Sequence, residues 1–147
     1  MNIIKDQKGF TLTEIIIAIS IIFILSVVSY PVYSAYAPHY RLKGASKELA
    51  SALQSAQGEA VSKQYLYIVR FQSSSYQIIK SDMGNEVLEQ TVDLPAGIST
   101  SDITLEQNQV IFTASGVPQK YGTLKLNNIR GENKTIEITS SGQIKSY

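Results

Sequence analysis

No cysteine occurs in the 147 residues, so neither a disulfide framework nor a thiolate site is available, and no bond pattern reveals the redox compartment. Tryptophan is also absent and histidine occurs once, at His39, which leaves no basis for a histidine metal centre or a catalytic triad. His39 reads as a surface residue. There is no Gly-x-x-x-x-Gly-Lys phosphate cradle and no nucleophile with a base beside it, so neither enzymatic activity nor a cofactor is expected. Between residues 81 and 112 there is no lysine or arginine, only Asp82, Glu86, Glu89, Asp93, Asp102 and Glu106. That stretch lacks the alternating D-x-[DN]-x-[DN]-G spacing of a calcium loop, so it reads as a solvated acidic face and no metal is expected. The formal net charge of +1 excludes a grossly basic nucleic-acid binder.

The apolar residues are unevenly placed. From Ile15 to Val28 the chain carries no charge, with Ser20 and Ser26 the only hydroxyl breaks, whereas the remainder has the composition of a small soluble domain. The run begins within "KGFTLTEIIIAISIIFIL", Lys8 to Leu25, and its length suits a bilayer, which takes about 20 mostly apolar residues. Glu14 at its mouth is the exception, because an unpaired charge in that position costs about 2.5 kcal/mol or more. A secretory signal would begin with basic residues, as Lys5 and Lys8 provide, but its apolar region is about 7 to 15 residues and "SYPVYSAYA" offers only a weak cutting site. A plain single-pass anchor leaves Glu14 unexplained, and Arg41, Lys43 and Lys47 rival Lys5 and Lys8 in setting orientation.

The stretch "KGFTLTE", Lys8 to Glu14, followed by that run, resembles the leader of type IV pilins and of the pseudopilins of type II secretion. The resemblance implies that a prepilin peptidase cuts between Gly9 and Phe10 and methylates the new N-terminus. Residues 1–9 would then be a cytoplasmic leader, and the protein a single-pass inner-membrane subunit with its C-terminal domain on the extracytoplasmic side. The chemistry of the residues agrees with this. A glycine before the scissile bond does not obstruct a protease, and cleavage creates an ammonium at Phe10 that Glu14 lacks as a partner beforehand. In low dielectric the two charges attract strongly. Within one chain they stand about 6 Å apart along a helix axis, so the amine of a neighbouring subunit is an equal candidate, and Glu14 would then set subunit register.

Tyr30, Tyr33, Tyr36 and Tyr40 follow at helical spacing, as an aromatic belt at the membrane boundary or a stacking surface between subunits. Pro31 lies where pilin helices commonly bend, and it removes a backbone donor. From Leu42 a stripe of Leu42, Ala45, Leu49, Ala52, Leu53, Ala56 and Ala60 predicts an amphipathic helix. The expected organisation is therefore a helix in lipid or filament core over residues 10–36, its amphipathic continuation over 37–63, and a β-rich head over 64–147. Short β-branched and aromatic runs between turn clusters predict about seven strands there, with Met83-Gly84-Asn85 as a hairpin turn. The fold class is α+β, a long helix packed by its second half on an antiparallel sheet.

The segment from Val110 to Tyr147 resembles the C-terminal pattern of H-type minor pseudopilins and related minor pilins, the GspH/FimT group. Phe112, Gly116, Gly122, Gly142 and Ile144 are the matching positions. The resemblance implies a subunit that primes or caps a short filament, with other major and minor pilins, prepilin peptidase, an inner-membrane assembly platform and membrane lipid as partners. FimT-type relatives take part in DNA uptake, and Lys120, Lys125, Arg130, Lys134 and Lys145 are the candidate phosphate-binding residues. The tail "SSGQIKSY" holds Lys145 alone, so an ordinary solvated surface is the favoured alternative to a DNA patch.

Overall fold

The computed structural model describes residues 9–147, and within its long helix the side chains of residues 28–32 lie outside that description. Lys5, Lys8 and the rest of the expected leader up to residue 8, together with the Tyr30 and Pro31 side chains, fall outside it. The chain forms two compact units, one ending at Ala37 and the other running from Pro38 to Tyr147. Helix α1, Leu12–Lys63, runs through both.

In the first unit, Ile15, Ile16, Ile17, Ile19, Ile21, Ile22, Phe23, Ile24, Leu25 and Val27 are all exposed. A helix that is apolar all round has no aqueous face, so it needs lipid or other helices for cover. The two hydroxyls in the run do not spoil it. Ser20 donates to the Ile16 carbonyl at 2.8 Å and Ser26 to the Ile22 carbonyl at 2.7 Å, which satisfies their donors inside the helix. Among the described residues no helix is long and apolar enough to cross a membrane. The uncharged run itself extends into residues 28–32, whose side chains are not described.

In the second unit the helix buries Leu42, Ala45, Leu49, Leu53, Ala56 and Ala60, while Ala52 is half-buried. The small residues of the stripe let the helix axis approach the strands closely. One polar side chain sits in the same stripe. Ser46 is buried and shares a 2.6 Å hydrogen bond with Ser146 at the C-terminus. Helix α1 ends at Gln64, which takes a left-handed φ of 59° and returns its side-chain amide to the Val61 carbonyl at 2.7 Å, closing an otherwise open helix terminus.

Eight antiparallel strands follow: β1 Leu66–Phe71, β2 Ser75–Asp82, β3 Asn85–Asp93, β4 Ile98–Ser101, β5 Gln109–Phe112, β6 Gly122–Asn128, β7 Asn133–Ile138 and β8 Ile144–Ser146. They form two four-stranded sheets, ordered β3-β2-β1-β5 and β4-β6-β7-β8, where the sequence predicts about seven strands. The missed strand, β4, reads Ile-Ser-Thr-Ser after a Leu-Pro-Ala-Gly breaker and has one buried apolar residue, Ile98. Its strand identity comes from pairing with β6, Ile98 opposite Asn128, and not from any local pattern. The expected hairpin joins β2 and β3, with Met83 and Gly84 at φ 48° and 90°, the positive values that a tight hairpin turn requires. A bulge leaves Glu89 as the extra residue of β3, between Leu88 opposite Ile79 and Gln90 opposite Ile78. One core joins the helix stripe to Tyr67, Val69, Phe71 and Tyr76 of the first sheet and to Leu124, Leu126, Ile136 and Ile138 of the second.

Candidate assembly site

At the start of α1, the Thr11 amide donates to Glu14 Oε2 at 3.2 Å and the Glu14 amide donates to Thr11 Oγ1 at 3.2 Å, with Thr11 Oγ1 also 3.3 Å from Glu14 Oε2. This is a reciprocal capping box: two orphan amide donors of the helix terminus are satisfied by side chains three residues apart. The positive end of the helix dipole adds to the attraction for the carboxylate. Thr11 was not among the residues singled out from the sequence, although Thr11-Leu12-Thr13-Glu14 before an apolar run carries the S/T-x-x-E signature. Gly9 and Phe10 precede the helix and are exposed, Phe10 by 84%. A Cβ added at Gly9 would meet no heavy atom within 4 Å. The fold of the chain therefore imposes no demand for glycine there.

Sequence reasoning also missed Gln57, which organises one end of the head. Its Nε2 donates to the Gly116 carbonyl at 2.7 Å and to the Gly142 carbonyl at 3.0 Å. One helix side chain thus holds the β5 to β6 loop and the β7 to β8 turn together. Gly116 and Gly142 have φ of 79° and 84°. A Cβ at Gly116 would come within 2.9 Å of Val61 Cγ2, and one at Gly142 within 2.7 Å of Gln57 Nε2 and 3.0 Å of the Gly116 carbonyl oxygen. Gly122 opens β6 where a Cβ would come within 2.8 Å of Thr104 Oγ1. Phe112 is fully buried at the end of β5, opposite Tyr67, and Ile144 begins β8 and packs on the core. The five head positions thus share a structural basis: tight loop closure over a common core.

The Gly142 crowding has a measurable consequence. Gly142→Ala is expected to cost the head about 2 kcal/mol or more, from left-handed strain plus a clash with a backbone oxygen. Gly131 also has a positive φ, of 78°, but open space around it, so Gly131→Ala costs about 1 kcal/mol. Denaturant midpoints of the two variants check this. Equal losses would mean that the Gln57 junction does not need the space.

A second network fixes the β2 to β3 hairpin. Lys63 Nζ reaches Glu59 Oε2 at 2.8 Å and Tyr67 Oη at 3.1 Å, and Tyr67 Oη donates to Glu89 Oε1, in the bulge, at 3.1 Å. The hydrogen bond from Lys63 holds the Glu59 carboxyl below its ordinary range and, reciprocally, raises the lysine. Burial pushes the Tyr67 hydroxyl up to about 12. The bulge therefore has a use: it brings the exposed Glu89 carboxylate within reach of the Tyr67 hydroxyl.

The basic residues do not form one patch. Lys120 pairs with Glu106 and Lys125 with Asp102, each at 3.0 Å, so residues of the acidic stretch neutralise two of the basic ones. Lys125 and Lys145 lie on its outer face, Lys145 opposite Glu137, whereas Lys134 lies opposite Leu126 on the other face. Arg130 stands apart in the exposed β6 to β7 turn.

The family model described as Type II transport protein GspH matches residues 45–142, from the buried helix stripe through Gly142. The chain belongs to the GspH family. A second model, the Prokaryotic N-terminal methylation motif, matches residues 4–30. This GspH-family chain is similar in structure to the minor pseudopilin EpsH of the Vibrio cholerae type 2 secretion system, with TM-score 0.62 and 13% identity over 73% of this chain and 96% of that one. It is also similar to the type IV minor pilin FimU of Pseudomonas aeruginosa PAO1, with TM-score 0.60 and 19% identity over 76% and 92%. At such identities the likeness shows the fold. In sequence the GspH-family chain is 26% identical over 127 residues to competence protein ComGD of Bacillus subtilis strain 168, covering 86% of this chain and 85% of that protein.

Proposed function

We propose that this GspH-family protein is a minor pseudopilin or minor pilin of a type II secretion or type IV pilus machine, made as a membrane-held precursor and built into the filament after processing. The precursor would stand in the inner membrane with its N-terminus cytoplasmic. Prepilin peptidase would cut between Gly9 and Phe10 and methylate Phe10, and the subunit would prime or cap a short filament on the assembly platform.

The observation that carries this reading is an exposed Gly9-Phe10 junction directly ahead of a capped helix whose apolar sides have no cover. Glycine at a position where the fold itself accepts any residue is what an external peptidase would select for. Before cleavage Thr11 holds the Glu14 carboxylate. After cleavage an ammonium at Phe10, one residue away or on a neighbouring chain, adds a full charge to that partnership. Lipid covers the helix in the precursor, and the helices of neighbouring subunits cover it in the filament.

One observation favours a second reading, work in a competence filament: the match to ComGD. DNA contact in that reading does not use Lys120, Lys125, Arg130, Lys134 and Lys145 as a single patch, since two are ion-paired and Lys134 faces away from Lys125 and Lys145. Deletion of the gene, scored for exported enzymes, surface pili and transformation, separates the readings. Loss of export or of pili with transformation intact is the expected result; loss of transformation alone would favour the competence filament.

A further inference from the structure

The head meets helix α1 in a fixed order along the axis. The β6 to β7 turn lies by His39, with His39 Nδ1 3.4 Å from Glu132 Oε2. The β8 end lies by Ser46, and the β5 to β6 loop and the β7 to β8 turn lie by Gln57. Of these three contacts, that of the β6 to β7 turn is the nearest to where the head's part of α1 begins. From Phe10 to His39 a helix spans at most about 44 Å at 1.5 Å per residue, and a bilayer with its headgroups occupies about 40 to 45 Å. In a chain anchored with Phe10 at the cytoplasmic face, His39 emerges no higher than the outer headgroup layer.

The turn at that level is rigid and carries an apolar side chain aimed outward. Asn128, which is buried, accepts at Oδ1 from the Arg130 amide at 2.9 Å and the Glu132 amide at 3.0 Å, and donates to Glu132 Oε2 at 2.7 Å. Ile129 at the tip is 78% exposed. It leans over the uncharged Leu94-Pro95-Ala96-Gly97 loop, where a Cβ on Gly97 would come 3.2 Å from Ile129 Cγ2. A hydrogen-bonded turn gains nothing in water from an exposed isoleucine. Beside it Arg130 is exposed, and on the first turns of α1 in the head Arg41, Lys43 and Lys47 are exposed with no acidic residue before Glu48. Glu132 is held by His39 and Asn128. An apolar tip beside Arg130, with Arg41 and Lys43 exposed on the helix within one turn of His39, fits an interface with acyl chains beneath and phosphates around it.

We propose that the β6 to β7 turn is a membrane-contact element, with Ile129 inserted at the glycerol level of the outer leaflet and Arg130, Arg41 and Lys43 on the phosphates of anionic lipids. The proposal rests on the reading of the chain as a membrane-held precursor. Extraction of the subunit then breaks a lipid contact as well as removing the helix from the bilayer.

The absence of tryptophan makes the test clean. The full chain carrying Ile129→Trp is reconstituted in vesicles of phosphatidylcholine and phosphatidylglycerol whose acyl chains are brominated near the glycerol end. Val87→Trp serves as reference: Val87 is exposed on β3 in the row that pairs through Lys80 to Tyr67, beside Lys63, about 36 Å further along the helix than His39. The tryptophan at 129 is expected to shift to the blue and lose about half or more of its emission, and Arg130→Glu in the same background to recover most of it, while the tryptophan at 87 is unaffected. Equal emission from positions 129 and 87 overturns the proposal. Phe23→Trp, half-way along the span at about 20 Å from Phe10 and read in parallel vesicles brominated near the acyl-chain ends, distinguishes the two levels. If it is quenched while position 129 is not, only the turn contact fails; if it is not quenched, the anchored reading fails as well.

Discussion

Glu14→Gln is expected to leave processing intact and to cut incorporation into the filament by about tenfold or more, because an ammonium desolvated among helices loses the charge that compensates it. The choice of glutamine matters. Its side-chain oxygen still accepts from the Thr11 amide, so the capping box seen at 3.2 Å survives and the helix start is unchanged. Glu14→Ala removes both the carboxylate half of the box and the charge, while the residue-14 amide still has Thr11 Oγ1 as its acceptor. Co-purification of each variant with sheared filaments, against its level in the membrane fraction, separates the two roles. If Glu14→Gln assembles like the wild type while Glu14→Ala does not, Glu14 acts only as a cap. If both fail equally, the charge is what assembly uses. Paired on co-expression, Glu14→Gln subunits poisoning wild-type filaments would place the partner amine on the neighbouring chain.

The largest effect on stability is expected at Phe112. Its ring is fully buried, opposite Tyr67 in the β5 to β1 pairing, and it lies one residue before the loop that Gln57 closes. Phe112→Ala should cost about 3 to 5 kcal/mol, from lost burial plus the cavity left behind. That is a large part of what a domain of this size possesses, so the head segment from Pro38 should be largely unfolded near body temperature. Circular dichroism of the purified segment checks it. A loss below about 1 kcal/mol would mean that the two sheets collapse to fill the gap.

How far the structure was legible in the sequence follows from the range of the interactions involved. The helix stripe from Leu42 to Ala60 was readable because a period of 3.6 is local, and all but Ala52 are buried. The Met83-Gly84 turn was readable because positive φ has a residue signature. Strand β4 was not, because Ile-Ser-Thr-Ser pairs only once β6 is in place. Nor was the division into two sheets, which depends on β5 joining β1 from more than thirty residues away along the chain. Gln57 is the clearest case. Its two carbonyl partners lie 59 and 85 residues downstream, and nothing in a helical Gln-Ser-Ala-Gln stretch marks it. Among the residues at the N-terminus, Glu14 stood out by its charge in an apolar run, while Thr11 went unnoticed beside it although the pair forms the cap. The carboxylate already has Thr11 as a partner, so the proposed ion pair with Phe10 would add a charge to an existing contact and would not be the first contact Glu14 makes.

The GspH head and the methylation-type N-terminus meet in one claim, that the working subunit begins at Phe10. Intact mass and N-terminal sequencing of the protein extracted from membranes test it most directly. The account predicts a chain that starts at N-methylated Phe10; a chain that keeps Met1, or that starts near Ala35 after an ordinary secretory cut, would contradict it.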